Sequence, residues 1–166
     1  MIQENNLTYE EYVDIIKTVG WKCPSKRLLE KSLKNSITSK YVVDSKTVGM
    51  ARLITDSGYI GLIADVIVKP EYQGKGIGKK LINNLLENAK ATLEDGESMM
   101  IQLLAANGKK LFYKQFGFKD KPEAVECGMY KWIDKNNWKQ VINLRLVQFS
   151  FIYNWKYQNY LWEKWL

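Results

Sequence analysis

The sequence predicts an α/β domain of the α+β type, one mixed and mostly antiparallel sheet flanked by helices. Three observations point to it. Short runs rich in β-branched and aromatic residues follow one another from Tyr41 to Val68, joined by polar turns too brief for a crossover. Two stretches with apolar residues at helical spacing precede them. After Lys69-Pro70, helical and strand patterns alternate, which adds a crossover to the meander.

The elements follow in order. Thr8 and Glu11 read as a capping box, and Tyr9, Tyr12, Val13, Ile16 and Val19 recur at helical spacing until Gly20. Pro24-Ser25 opens a second helix with Leu28, Leu29, Leu33 and Ile37 on its apolar side. Tyr41–Val43 and Val48–Ile54 read as strands joined by Asp44-Ser45-Lys46. Asp56-Ser57-Gly58 turns the chain into a third strand, Tyr59–Val68. A helix with Ile82, Leu85, Leu86, Ala89 and Leu93 on its buried stripe follows, then an apolar strand, Met99–Leu104. A short helix carries Leu111, Phe112 and Phe116, with Asn107 as one choice of cap. Gly117-Phe118 and Cys127–Ile133 read as the last strands, linked through Pro122. The predicted order is α-α-β-β-β-α-β-α-β-β. Residues 1–133 form the expected domain, and 134–166 an aromatic-rich C-terminal extension of helix, strand or both.

Composition narrows the chemistry. The 166 residues include no histidine, which excludes Ser-His-Asp and Cys-His sites and leaves few ways to bind zinc. No metal is expected. Two distant cysteines, Cys23 and Cys127, suit a reducing compartment rather than a disulfide framework. With no apolar leader and no long apolar run, a cytoplasmic protein without a membrane partner is expected. Lys and Arg total 25 against 18 acids, a formal charge of +7, which suits an anionic ligand. The basic residues are scattered and no nucleic-acid motif appears, so nucleic acid is not the expected partner.

The segment from Val66 through Gln73-Gly74-Lys75-Gly76-Ile77-Gly78-Lys79 carries the most information. A buried strand ends and glycines open an amphipathic helix. A helix start presents unpaired N–H groups and a positive dipole end, and glycines let a phosphate approach them. The spacing is neither the dinucleotide fingerprint nor a P-loop.

The run Gln73-Gly-Lys-Gly-Ile-Gly78, followed by Asn107 and then Phe112-Tyr113…Gly117-Phe118, resembles the GNAT superfamily of acetyl-CoA-dependent N-acetyltransferases. The likeness runs from about Thr8 to Ile133. It implies that acetyl-CoA is the cosubstrate and that the glycine loop, Gln73 to Lys79, holds its pyrophosphate. It also implies that the pantetheine arm pairs with the free backbone of Val66, Ile67 and Val68, between splayed strands. A backbone N–H near Ile67 or Val68 would hold the acetyl carbonyl, Asn107 would contact the coenzyme, and Tyr113 would be the general acid for the leaving thiolate.

The acceptor end is less determined. An alkylammonium is only about 0.1% neutral near pH 7.4, so its proton must go somewhere. Strand alternation puts Asp65 on the face of Ile63 and Ile67, where apolar company would make it a better base or an ammonium anchor. Pairing with Arg52 is the other reading of Asp65. Trp21, in the bend between the first two helices, is the candidate wall of the acceptor pocket; Asp56 and Glu126 are further acids. The expected reaction is direct attack of a primary amine, preferably a small molecule. A protein amine as acceptor, a silent acyl-CoA binder and a nucleic-acid module are the alternatives. In the extension, Val147, Phe149, Phe151, Tyr153, Trp155 and Tyr157 alternate with Gln148, Ser150 and other mostly polar residues; the aromatic face either packs on its own domain or, the reading slightly preferred, forms a homodimer through this segment.

Overall fold

The computed structural model describes residues 1–120 and 128–134. Strand β1 is Ile2–Glu4, helix α1 Tyr9–Lys17, α2 Lys26–Lys34, β2 Ser36–Val43, β3 Lys46–Thr55 and β4 Ile60–Val68. A single 3-10 turn, Pro70–Tyr72, leads to α3, Ile77–Ala91, then β5, Ser98–Leu104, and α4, Lys110–Lys114. Strands β6, Lys119–Asp120, and β7, Gly128–Asp134, complete one sheet in the order β1-β2-β3-β4-β5-β7-β6. Among the described residues all pairings are antiparallel except β4 with β5. The expected fold class holds.

Local chemistry explains most boundaries. The Thr8 hydroxyl accepts from the Glu11 N–H at 3.2 Å and the Glu11 carboxylate from the Thr8 N–H at 2.9 Å, so the capping box forms as read. Asp44 and Ser45, with φ of +45° and +61°, make the two-residue turn whose twist suits a hairpin.

Other expectations need correction. The three-residue β1 was not foreseen; it is too short to show a pattern and exists by pairing Ile2 with Tyr41. Helix α2 ends earlier than its apolar spacing suggests. Asn35 Nδ2 and Ser36 Oγ donate to the carbonyls of Lys31 and Ser32, at 2.7 and 2.8 Å, and the chain extends at once into β2. Ile37 therefore lies in the sheet, and Leu28 is exposed. Gly117 and Phe118 precede β6 rather than forming it: Gly117 turns at φ +82° and Phe118 is buried. The start of the last expected strand at Cys127, the link through Pro122, Glu126 and the extension from 135 onward lie outside the described residues.

Each face of the sheet has its own core. Helix α3 lays Ile77, Leu81, Ile82, Leu85 and Ala89 on Ala51, Leu53, Ile63 and Ile101. On the other face, Tyr12, Ile15 and Ile16 of α1 and Leu29 of α2 cover Met50 and Ile67. With both faces covered, the useful opening is at a seam inside the sheet.

Candidate active site

That seam lies between β4 and β5. The two strands pair only from Ile60–Met100 to Ile63–Leu103, and beyond Ile63 they part. On its other side β4 stays paired with β3. The Lys69 N–H donates to the Val48 carbonyl at 2.8 Å, and Ile67 is registered with Met50. Alternate residues of a strand point their backbone groups the same way. Ile67 therefore faces β3 with Lys69, while Val66 and Val68 face the side that β5 has left. The Val68 carbonyl accepts from Gln73 Nε2 at 2.9 Å, which leaves its N–H as the donor toward the opening.

A groove of about 400 Å³ fills this opening, lined by Val66, Val68, Gln73, Gly74, Gly76, Ile77, Gly78 and Lys79 on one side. The sequence-predicted strand end and glycine loop are thus brought together. Gly76 caps α3 in the left-handed conformation, φ +73°, without a side-chain cap. The first-turn N–H groups therefore remain available, and no atom lies within 4 Å of where a Cβ on Gly76 would stand. Gly78 serves packing: a Cβ there would meet Phe112 Cζ at 3.3 Å. Lys79 lines the groove, while Lys75 lies over the Tyr72 ring at 5.0 Å and Lys80 turns to the Tyr41 hydroxyl at 3.3 Å.

Across the groove stand Lys109, Phe112, Tyr113 and Gln115. Helix α4 projects Tyr113 inward. The ring packs edge-on against Phe112, with centroids 5.0 Å apart, and is 8% exposed. Burial raises the Tyr113 phenol above its usual pKa, so it stays protonated and able to donate.

Three expected site residues are placed otherwise. Ile67 is buried in the α1-side core, with its backbone turned to β3. Asn107 is exposed in a turn; it does not line the groove or cap α4, whose N-cap is Lys109. Asp65 is not in apolar company: Arg52 Nε donates to its Oδ2 at 2.7 Å. A bulge at Asp65 and Val66 breaks the alternation that would have aligned Asp65 with Ile63 and Ile67, and those two isoleucines belong to opposite cores. Trp21 is half-exposed beside the end of α1. Sequence reasoning did not single out Tyr72, Lys109 or Gln115 for the groove. For Lys109 the available signal was a cation just before the short helix.

Residues 38–120 match the acetyltransferase (GNAT) domain. The chain belongs to the GNAT family. An uncharacterized N-acetyltransferase from Pyropia yezoensis is 35% identical over 131 residues, spanning 75% of this chain and 72% of that one. Among solved structures, a probable acetyltransferase from meticillin-resistant Staphylococcus aureus superposes with a TM-score of 0.65 at 24% identity, over 75% of this chain and 96% of the other. The N-acetylglutamate synthase of Neisseria gonorrhoeae, solved with coenzyme A and L-arginine, gives 0.62 at 19% identity, over 78% of this chain and 32% of its own. These two likenesses speak for the fold. Family membership makes this GNAT chain an N-acetyltransferase.

Proposed function

We propose that the chain transfers the acetyl group of acetyl-CoA to the primary amine of a small molecule, by direct attack while both substrates are bound. One observation carries the reading. The Val66 backbone and the Val68 N–H, without a strand partner among the described residues, the uncapped start of α3 and the buried Tyr113 phenol all line one groove. The donor set fits the cosubstrate, because an open glycine cradle at a helix start suits a pyrophosphate and an unpaired strand edge suits the amide-bearing pantetheine arm.

The thioester supplies an activated acetyl group. The amine nitrogen, neutral after losing a proton to water, forms the new C–N bond, and the C–S bond breaks. The Val68 N–H donates to the carbonyl oxygen as it gains charge, a contact worth about 2.7–4 kcal/mol in acyl transfer. Tyr113 gives its proton to the departing thiolate and regains one from water. The nitrogen loses its second proton to water as the amide forms.

A panel of amines, arylalkylamines and polyamines among them, incubated with acetyl-CoA and read by released thiol, tests this. Thiol release that depends on a small amine is expected. Release with protein acceptors alone would overturn the small-molecule reading, and no release with any acceptor would overturn catalysis.

A further inference from the structure

Strand β4 contains a residue in an unusual conformation. Asp65 has φ +54°, the left-handed region, which costs an ordinary residue roughly 1–2 kcal/mol and Asp somewhat less. Met50 is registered with Ile67 and Arg52 with Ala64, so Asp65 and Val66 together stand opposite Ala51. This extra residue is a β-bulge. It shifts everything after it by one place, turning Ile67 to the α1-side core and the Val66 and Val68 backbone toward the groove.

A part-buried ion pair braces the bulge. Arg52, on β3, donates to Asp65 at 2.7 Å, and the two side chains are only 14% and 16% exposed. Tyr12, on α1, is buried in the core that also takes in Met50 and Ile67, the β3–β4 pair beside the bulge. Burial first, then the nearby Asp65 charge, push its hydroxyl well above the usual tyrosine range. The bend that opens the groove is therefore tied by a side chain to the neighbouring strand.

We infer that Arg52, acting through Asp65, is a positioning residue that holds the β4 bulge and so keeps the Val68 N–H aimed at the acetyl carbonyl. The inference rests on the acetyl-transfer reading above. Loosening the brace displaces the donor without touching the glycine loop. A misplacement near 1 Å costs about 10²-fold in rate. The loss falls mainly on kcat, because the glycine cradle at the start of α3 is left in place.

The test compares Arg52→Met, Arg52→Lys, Asp65→Gly and Asp65→Asn. Glycine accepts the positive φ freely, so Asp65→Gly folds with the bulge unbraced. The inference expects kcat to fall about 10²-fold in Arg52→Met and Asp65→Gly. It expects an acetyl-CoA Kd raised no more than a few-fold by calorimetry, far less than the fall in kcat, and partial recovery in Arg52→Lys. The amide NMR signals of Val66 to Val68 should shift in the same variants. In Asp65→Asn the pH–rate profile should keep its shape. Unmoved amide signals overturn the brace, as do shifted signals with an unchanged kcat. Disappearance of the acid limb in Asp65→Asn overturns it in favour of Asp65 as the base. Should Arg52→Met not fold, Arg52→Lys and Asp65→Gly carry the same readouts. If the wild-type protein neither binds acetyl-CoA nor acetylates an amine, the functional reading fails, and with it the catalytic half of this inference. The amide signals still decide whether the bulge is braced.

Discussion

Glu11, in the first turn of α1, accepts hydrogen bonds from Lys40 Nζ of β2 at 2.6 and 2.8 Å. The same carboxylate accepts from Thr47 Oγ1 at 2.6 Å and closes the Thr8 capping box, so one side chain starts a helix and ties it to two strands. Burial alone would raise its pKa. The hydrogen bonds from Lys40, Thr47 and Thr8, with the Lys40 charge, outweigh that and hold it below the usual range. A lowered folded-state pKa adds stability above the unfolded value, near ~4.3, and that stability is lost as pH falls through the folded value. Glu11→Gln leaves Lys40 buried without its partner charge. It should cost about 2–3 kcal/mol at pH 7, less than a fully enclosed pair because the carboxylate keeps some exposure. Urea unfolding at pH 7 and at several points below 4.3 would check this. Equal midpoints for wild type and variant at neutral pH would count against the pair.

Gly76→Val should weaken acetyl-CoA binding while the protein stays folded. A β-branched residue at φ +73° is strained, and relieving that strain turns the first-turn donors of α3 away. Losing charge-assisted hydrogen bonds there predicts about a ten- to hundredfold rise in Kd by calorimetry. Normal affinity in the folded variant would mean that the pyrophosphate lies elsewhere.

Tyr113→Phe keeps the edge-on packing with Phe112 and removes the hydroxyl. The expected result is a kcat lower by about 10²–10⁴ with acetyl-CoA affinity unchanged. Because burial raises this phenol, the wild-type rate should hold its alkaline plateau past pH ~10. The linked stability is fully present below ~10 and is lost as pH rises through the higher folded value. An unaltered rate and profile would remove Tyr113 from the mechanism.

Lys109 and Asn107 separate the structural reading from the sequence reading. Lys109 lines the groove opposite the glycine loop, and Asn107 does not. Lys109→Glu should weaken acetyl-CoA by roughly five- to tenfold, less at high salt. Asn107→Ala should leave affinity near the wild-type value. The reverse pattern in a binding titration would restore Asn107 as the contact.

What the sequence made legible was local. The Thr8–Glu11 box, the Asp44-Ser45 turn and the Gly74–Gly78 helix start each depend on residues within a few positions of one another. What it hid depends on partners far along the chain. Ile37 reads as the last apolar position of a helix and Thr38 to Lys40 as the stretch before the next strand, yet Ser39 and Lys40 are 0% and 6% exposed once β1, β3 and α1 close around them. The bulge at Asp65 is a mismatch between two strands, so a period-two reading of β4 alone puts Ile63 and Ile67 on one face. Lys109 takes the groove position because the turn at Asn107-Gly108 delays the helix, a matter of backbone path rather than residue type.

The same seam has a consequence for how the chain folds. Strands β2, β3 and β4 are joined by turns of two and four residues, whereas β4 reaches β5 only through residues 69–97. Hairpins close in about 1–10 μs, and a parallel pair across a long crossover pays more loop entropy before its contacts form. The N-terminal meander is therefore the natural early unit and the β4–β5 junction a late one. A cosubstrate lodged in that junction touches both the early and the late half of the molecule. Its presence should slow unfolding and raise Tm, so that the substrate also acts as the last strut of the fold.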